Sequence, residues 1–255
     1  MGTVELHHDG GIATLRIANP PYNRLSTDVV TALLAAIDSI DPTVTAALIV
    51  CGAGDMFCAG ADVESWRDGE AHTVLRYLRQ IIAAGRQLES LTIPTIAAVH
   101  GQAISVGFDI ALHCDLIVTA PDAEFGFPET AFALAPLCGG LARVAERAGR
   151  AQAARLAMLS DAVVGTEAHR IGLVARLADT ADVMTVAHAL AQQLTGTATV
   201  AHTGAKSLLQ GWAHGGLGVA DQMVRHVSAI TLGANHSQRA HTDTAADRRQ
   251  RRTPL

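Results

Sequence analysis

Residues 51–62 read CGAGDMFCAGAD, and they follow a short apolar segment, residues 46–51, that has the length and composition of a buried strand. This loop combines three glycines with three alanines. Small side chains let the backbone approach a ligand closely and leave its N–H groups available. A tight, well-packed turn is the alternative interpretation. A dinucleotide-binding fingerprint is a weaker third one, because Phe57 occupies the position of its third glycine.

A second loop of interest reads HGQAISVGFD at residues 100–109, between a predicted strand at 95–99 and a predicted helix that begins near Gly107. Its N–H groups would lie at a helix N-terminus, which stabilises negative charge. One backbone donor from each of the two loops would form an oxyanion hole that polarises a carbonyl and holds an enolate. An ordinary strand-to-helix turn is the alternative, and sequence spacing leaves open whether the loops converge.

The rest of the chain alternates strands and helices in its first half and is mainly helical after Gly139. The apolar patterns and turn signals predict an α/β core of stacked ββα units followed by a helical C-terminal region. The predicted elements are hairpin strands at 4–8 and 12–17, a helix after the N-cap Ser26, a strand at 46–51, a helix at 72–91, and strands at 95–99 and 116–119.

Composition narrows the functional classes. The chain has 255 residues, 49% of them hydrophobic, which is enough for one sizeable core with a small terminal appendage. A net charge of −5 makes a nucleic acid an unsuitable partner. The four cysteines form no CxxC pair and the histidines show no metal-ligand spacing, so no metal site and a reducing cytoplasm are expected. The longest apolar stretch, residues 93–118, contains two histidines and two aspartates, which excludes a membrane span there.

Several motifs together identify a family resemblance. They are FCAGAD at 57–62, IPT at 93–95, CDLI at 114–117, FGFPE at 125–129 and the stretch from Pro136 to Gly140. In this combination, over about residues 12–172, the chain resembles the enoyl-CoA hydratase/isomerase (crotonase) family. The resemblance implies the crotonase spiral, a fold shared with Clp proteases, in residues 1–195. It also implies a helical trimerisation and lid region in residues 196–255, whose end departs from the family pattern and, by its own composition, is expected to be a loosely ordered basic tail.

The resemblance further implies an acyl-CoA thioester substrate in fatty acid metabolism, no cofactor beyond the coenzyme A of the substrate, and homotrimers that can pair into hexamers. Ala61 and Val106 match the positions whose N–H groups form the oxyanion hole, and Asp109 and Glu129 match the two catalytic acids. The family usually has glycine at position 106 and, in hydratases, glutamate at 109. A valine would crowd the acyl group, and an aspartate carboxyl would retreat by about 1.5 Å, one C–C bond.

The same resemblance assigns coenzyme A contacts to the strand-to-helix turn at residues 23–25, to the first loop and its end, and to a late helix. For Arg24 and Lys206, an exposed surface role is the competing interpretation. The predicted contacts are Arg24, Leu25, Ala59, Ala61, Asp62, Val63 and Lys206.

We expect a hydratase-type lyase that adds water across a 2-enoyl-CoA thioester. Two alternatives stay open: an enoyl- or dienoyl-CoA isomerase, and an acyl-CoA-binding paralogue with little activity. The match to dienoyl-CoA isomerases is incomplete, because Leu137 stands where those enzymes have a third acid. A serine hydrolase built on Ser105 is disfavoured, because Thr130 stands where Clp proteases place their histidine.

Overall fold

The computed structural model describes residues 2–63, 71–195 and 199–250. For residues 71, 199 and 234–250 it describes the backbone alone. The chain divides into two compact units, Met1–Gly196 and Thr197–Leu255. Nearly all of the strands and helices that follow belong to the first unit.

The first half alternates strands and helices as the sequence predicts, with two short strands, at residues 102–104 and 124–126, that it did not predict. Its elements are β1 (Thr3–Asp9), β2 (Ile12–Ala18), α1 (Thr27–Asp38), β3 (Ala47–Gly52), α2 (Ala71–Ser90), β4 (Thr95–Val99), β5 (Gln102–Ile104), α3 (Val106–His113), β6 (Leu116–Thr119) and β7 (Glu124–Gly126).

The second half begins with a short 3₁₀ helix and continues with helices and two short strands. The elements are the 3₁₀ helix Pro128–Phe132, α4 (Gly140–Ala148), α5 (Arg150–Met158), β8 (Ala162–Val164), α6 (Gly165–Arg170), β9 (Arg176–Leu177), a 3₁₀ turn Thr180–Asp182, α7 (Val183–Leu194) and α8 (Thr199–Gln250).

Two sheets organise the first unit. The larger has six strands in the order β1-β2-β3-β4-β6-β9, and the smaller has three in the order β5-β7-β8. Only β1 and β2 pair antiparallel in the larger sheet, and every other neighbouring pair in it is parallel. Parallel neighbours need a crossover, and helices α1 and α2 supply those between β2, β3 and β4. The predicted α/β architecture is confirmed.

Local sequence signals explain where these elements begin. The side chain of Ser26 caps α1 by accepting a hydrogen bond from Val29 N–H, as the sequence predicts for an N-cap. Helix α1 then buries Val30, Leu33 and Ile37 against the sheet core. Strand β3 is buried along its whole length, as expected of a strand inside a parallel sheet.

The C-terminal half differs from prediction in two ways. Strands β8 and β9 are short insertions into a stretch expected to be almost entirely helical. Helical structure also continues to Gln250 through residues that the sequence predicted to be loosely ordered, with a break at Gly216 (φ 70°, ψ −169°). Val227 packs against Gly204 and Met223 against Gly211, so α8 folds back on itself as an antiparallel helical hairpin. Within the described residues, no helix combines the length and hydropathy needed to cross a bilayer.

Candidate active site

The two small-residue loops converge. Cys58 N–H donates to the Gln102 carbonyl at 2.8 Å, and Ile104 N–H donates back to the Cys58 carbonyl at 3.0 Å. A Cβ on Gly60 would lie 3.0 Å from Ser105 Cβ, so the loops are in contact at their centres. This ladder answers the question that the sequence left open and brings residues 58–61 against the start of α3.

Each loop presents a backbone donor. Leu25 and Ala61 form a parallel bridge. In it, Leu25 N–H donates to the Gly60 carbonyl (2.9 Å) and Asp62 N–H donates to the Leu25 carbonyl (3.1 Å), so the Ala61 N–H takes no part in the bridge. Val106 is the first residue of α3, where a helix has no internal acceptor. Among the described residues, neither the Ala61 nor the Val106 N–H has a hydrogen-bond acceptor. The side chain of Val106 is 5% exposed and packs into the hydrophobic core.

Ser105 occupies a strained conformation between β5 and α3. Its φ of 56° and ψ of −128° lie in a region that glycine adopts more easily, and its side chain does not cap the helix. Its N–H donates to the Gly126 carbonyl at 2.9 Å, which ties the turn to β7. Gly107 is needed for a different reason, because a Cβ there would clash with the Cys58 carbonyl and lie 2.9 Å from the Cys58 sulfur.

Asp109 is buried on α3 with only 1% of its surface exposed. Its Oδ1 accepts a hydrogen bond of 2.5 Å from the N–H of Gly140, the first residue of α4. Burial and, to a smaller extent, the charge of Glu129 raise the pKa of Asp109, the Gly140 hydrogen bond and Arg143 oppose the rise, and the net pKa is about 7. Asp109 therefore changes its protonation state near neutral pH.

Glu129 lies in the 3₁₀ helix, directly after Pro128 at the first helical position. Its Oε2 is buried and, among the described residues, has no hydrogen-bond partner. A buried carboxyl oxygen without a partner is costly in free energy, and in native proteins it calls for an explanation such as a catalytic role. The charge of Glu129 acts on the pKa of Asp109, so the two predicted acids lie near each other.

Cys138 is a third member of this cluster, and the sequence reasoning missed it. Burial, together with the charges of Asp109 and Glu129, raises the pKa of its thiol to about 12. Such a thiol stays protonated and unreactive at neutral pH. Within the described part of the chain, no three histidine, cysteine or acidic side chains are arranged to hold a metal ion.

The serine hydrolase alternative finds no general base. His100 Nε2 lies 2.7 Å from the Gly54 carbonyl, and His113 Nδ1 lies 2.6 Å from the Asp109 carbonyl. Thr130, at the position of the Clp histidine, donates instead to the Ala157 carbonyl at 2.6 Å. Among the described residues no histidine is hydrogen-bonded to Ser105, so its hydroxyl lacks activation.

A buried asparagine holds the first loop in shape, and this role was also missed. Asn23 is fully buried and its Nδ2 donates to the carbonyls of Ala53 (2.7 Å) and Met56 (2.8 Å). Its φ of 50° is one that asparagine tolerates better than most residues. The signal in the sequence was an Asn directly before the predicted coenzyme A contact Arg24.

The predicted coenzyme A contacts of the first unit lie together at this loop. Arg24 is exposed and stacks over the Tyr22 ring at 5.2 Å, and Val63 is 44% exposed. The side chain of Leu25 is fully buried, so only its backbone is available to a ligand. Ala59 N–H donates to the Tyr22 carbonyl at 3.0 Å.

Lys206 belongs to the C-terminal unit, where it lies on α8. Its role as a coenzyme A contact stays a prediction.

Comparison with known proteins identifies the family of the chain. The family model described as enoyl-CoA hydratase/isomerase matches residues 7–214. The chain is 33% identical over 196 residues to the "Probable enoyl-CoA hydratase" of Bacillus subtilis, covering 75% of each protein. It is 32% identical over 206 residues to the "Short-chain-enoyl-CoA hydratase" of Clostridium acetobutylicum, covering 79% of this chain and 78% of that one.

Comparison with solved structures leads to the same family. A crystal structure of an enoyl-CoA hydratase subunit from Geobacillus kaustophilus HTA426 superposes with a TM-score of 0.85 at 28% identity, covering 99% of this chain and 97% of that one. The predicted crotonase fold is therefore confirmed. Because the family model extends over most of the chain, from the first strand into α8, we conclude that this protein belongs to the enoyl-CoA hydratase/isomerase family of enzymes.

Proposed function

We propose that the protein is a hydratase that adds water across the C2–C3 double bond of a 2-enoyl-CoA thioester. The Ala61 and Val106 N–H groups would hold the thioester oxygen as it becomes an enolate. Two observations support this role: among the described residues both N–H groups lack a protein acceptor, and the two loops that carry them are in contact. Losing one such donor typically costs about 10²–10³ in rate.

The observation that carries this proposal is the buried, unpartnered Oε2 of Glu129 beside Asp109. A carboxylate there would take a proton from water as the water oxygen bonds to C3. The electron pair of the double bond then moves into the enolate, and a carboxyl returns a proton to C2. All atoms of the water end in the product, so no further reagent is required.

One observation favours a second candidate, a double-bond isomerase. Asp109 Oδ1 already accepts a hydrogen bond from the Gly140 N–H, whereas Glu129 Oε2 is buried without a partner among the described residues, so Glu129 would carry the proton. A single carboxylate would move a proton from C2 of a 3-enoyl thioester to C4 through the same enolate. Leu137, where a dienoyl-CoA isomerase has its third acid, is 57% exposed and offers no acid. An acyl-CoA-binding paralogue with little activity is the third candidate.

Further parts of the proposal rest on family membership. We propose an acyl-CoA thioester as substrate, no cofactor besides its coenzyme A, a homotrimer or hexamer, and a cytoplasmic role in fatty acid metabolism. The proposed contacts to coenzyme A are Arg24, Leu25, Ala59, Ala61, Asp62, Val63 and Lys206.

Steady-state hydration of crotonyl-CoA tests the function. Glu129→Gln and Asp109→Asn are compared with wild type and with Glu146→Gln, an exposed acid of α4 that serves as the control. A hydratase loses about 10²–10⁴ in kcat in both site variants and keeps its activity in the control. An isomerase turns over 3-enoyl thioesters and depends on Glu129 far more than on Asp109. Acyl-CoA binding without turnover of either substrate would leave only the paralogue.

A further inference from the structure

Arg143 connects two helices at the edge of the candidate active site. It lies in the first turns of α4, and its Nη1 donates to the carbonyl of Gly139, the N-cap of the same helix, at 2.9 Å. Its Nε donates to Glu89 Oε1 on α2 at 2.9 Å, and its Nη2 contacts the other oxygen of the same carboxylate. Such a two-pronged pairing fixes orientation as well as distance.

The contacts of Arg143 continue to Asp109 through two glycines. Gly139 adopts a φ of 96°, which turns the chain into α4 and aims the N–H of Gly140 at Asp109 Oδ1. The His113 ring lies nearby, since a Cβ on Gly139 would be 3.9 Å from it and 2.9 Å from Arg143 Nη1. The loop that holds the Asp109 carboxyl is thus fixed by one arginine and one buried ring.

We propose that Arg143 is a positioning residue for the proton-transfer chemistry. Its bonds to Gly139 and Glu89 hold the start of α4 so that Gly140 keeps the Asp109 carboxyl beside Glu129. The inference rests on the proposed function in one respect, namely that Asp109 takes part in the reaction. The titration of the carboxyl, which reports on its surroundings, can be measured without turnover.

The charges around Asp109 define what the loss of Arg143 should do. Glu129 from the 3₁₀ helix raises the Asp109 pKa, whereas Arg143 and the Gly140 N–H from α4 lower it. His113, on the same helix as Asp109, has its pKa lowered to about 4 by burial and so adds no charge at neutral pH. The Cys138 thiol is also uncharged there, and Glu89 of α2 is engaged by Arg143. Removing Arg143 therefore raises the Asp109 pKa on two counts, through its charge and through the loosened Gly140 bond.

The experiment compares Arg143→Gln and the milder Arg143→Lys with wild type. Arg147→Lys is the matched control, because Arg147 lies on the same helix but donates to the carbonyls of Leu112 (2.9 Å) and Cys114 (2.5 Å). The Asp109 carboxyl is titrated by NMR with carbon-13-labelled aspartate and assigned with Asp109→Asn. The dependence of kcat and KM on pH is recorded with crotonyl-CoA.

In Arg143→Gln we expect the titration midpoint of Asp109 to rise by about one pH unit. The limb of the pH profile of kcat that reports on Asp109 should shift in the same direction. Lysine should restore part of the shift, and the control should titrate as wild type does. An unchanged titration in a folded Arg143→Gln, or an equal shift in Arg147→Lys, would overturn the inference. If wild type turns over neither enoyl substrate, the proposed function fails, while the carboxyl titration still decides the role of Arg143.

Discussion

Replacing Gly140 by alanine should displace the Asp109 carboxyl. A Cβ at this position would overlap with Oδ1 and lie 3.0 Å from both Asp109 Cγ and the Phe127 ring. Gly140 does not have a positive φ, so the backbone itself accepts alanine and the penalty is steric. The carboxyl is buried, hence it relieves the overlap only by moving roughly 1 Å and weakening its bond to the Gly140 N–H, and a 1 Å misplacement can cost about 10² in rate.

The assay is kcat and KM for crotonyl-CoA together with a thermal melt. We expect kcat to fall about 100-fold with KM nearly unchanged, because the proposed coenzyme A contacts lie on other loops. Overpacking should also lower the free energy of unfolding by about 1–3 kcal/mol. Gly218→Ala is the control, since a Cβ there meets nothing within 4 Å. A Gly140→Ala enzyme that keeps wild-type kcat would refute the steric reasoning.

Three further predictions concern single side chains. Asn23→Ala leaves the carbonyls of Ala53 and Met56 without their donor, so urea unfolding should show a loss of about 2–4 kcal/mol, and KM for the thioester should rise. Ser105→Gly relieves a positive φ, so it should melt at a higher temperature with kcat within a few-fold of wild type; an activated phosphonate that labels wild type but not this variant would instead revive the hydrolase. The buried Asp109 has a raised pKa, so wild-type stability is lost as pH rises from about 4 through about 7. Asp109→Asn should therefore melt above wild type at pH 8, and a difference that does not shrink toward pH 4 would contradict the burial argument.

Local signals predicted most of the spiral. Helix α1 starts at its Ser26 cap and α2 ends before Pro94, because capping and proline act within a few residues. Strands β8 and β9 escaped prediction because they span only three and two residues, in an alanine-rich stretch. Their extended conformation is determined by pairing with β7 and β6, which lie far away in sequence.

In the candidate site, too, contacts between residues far apart in sequence were the part that could not be predicted. The family resemblance supplied Asp109 and Glu129, but the contact of Asp109 with Gly140 joins residues 31 apart in sequence and depends on how α3 packs against α4. The two adjacent glycines at 139 and 140 were the available signal, since such a pair at a helix start permits a close approach. Nothing in the sequence distinguished Cys138 or Arg143, whose roles follow from which charges the fold places beside them.

The contact between Asp109 and α4 also bears on the presence of an aspartate at a position where hydratases of the family have a glutamate. An aspartate reaches about 1.5 Å less far than a glutamate, so on α3 alone its carboxyl would be poorly placed. The helix start at Gly140 gives that carboxyl a fixed partner, and its N–H favours the ionised form against the burial that opposes it. The outcome is an acid whose pKa is about 7, so that it can accept or donate a proton at neutral pH. The same buried charge destabilises the fold above that pH. Stability is therefore lower in the pH range in which the ionised carboxyl would accept a proton in the proposed reaction, as expected where a site is selected for chemistry over packing.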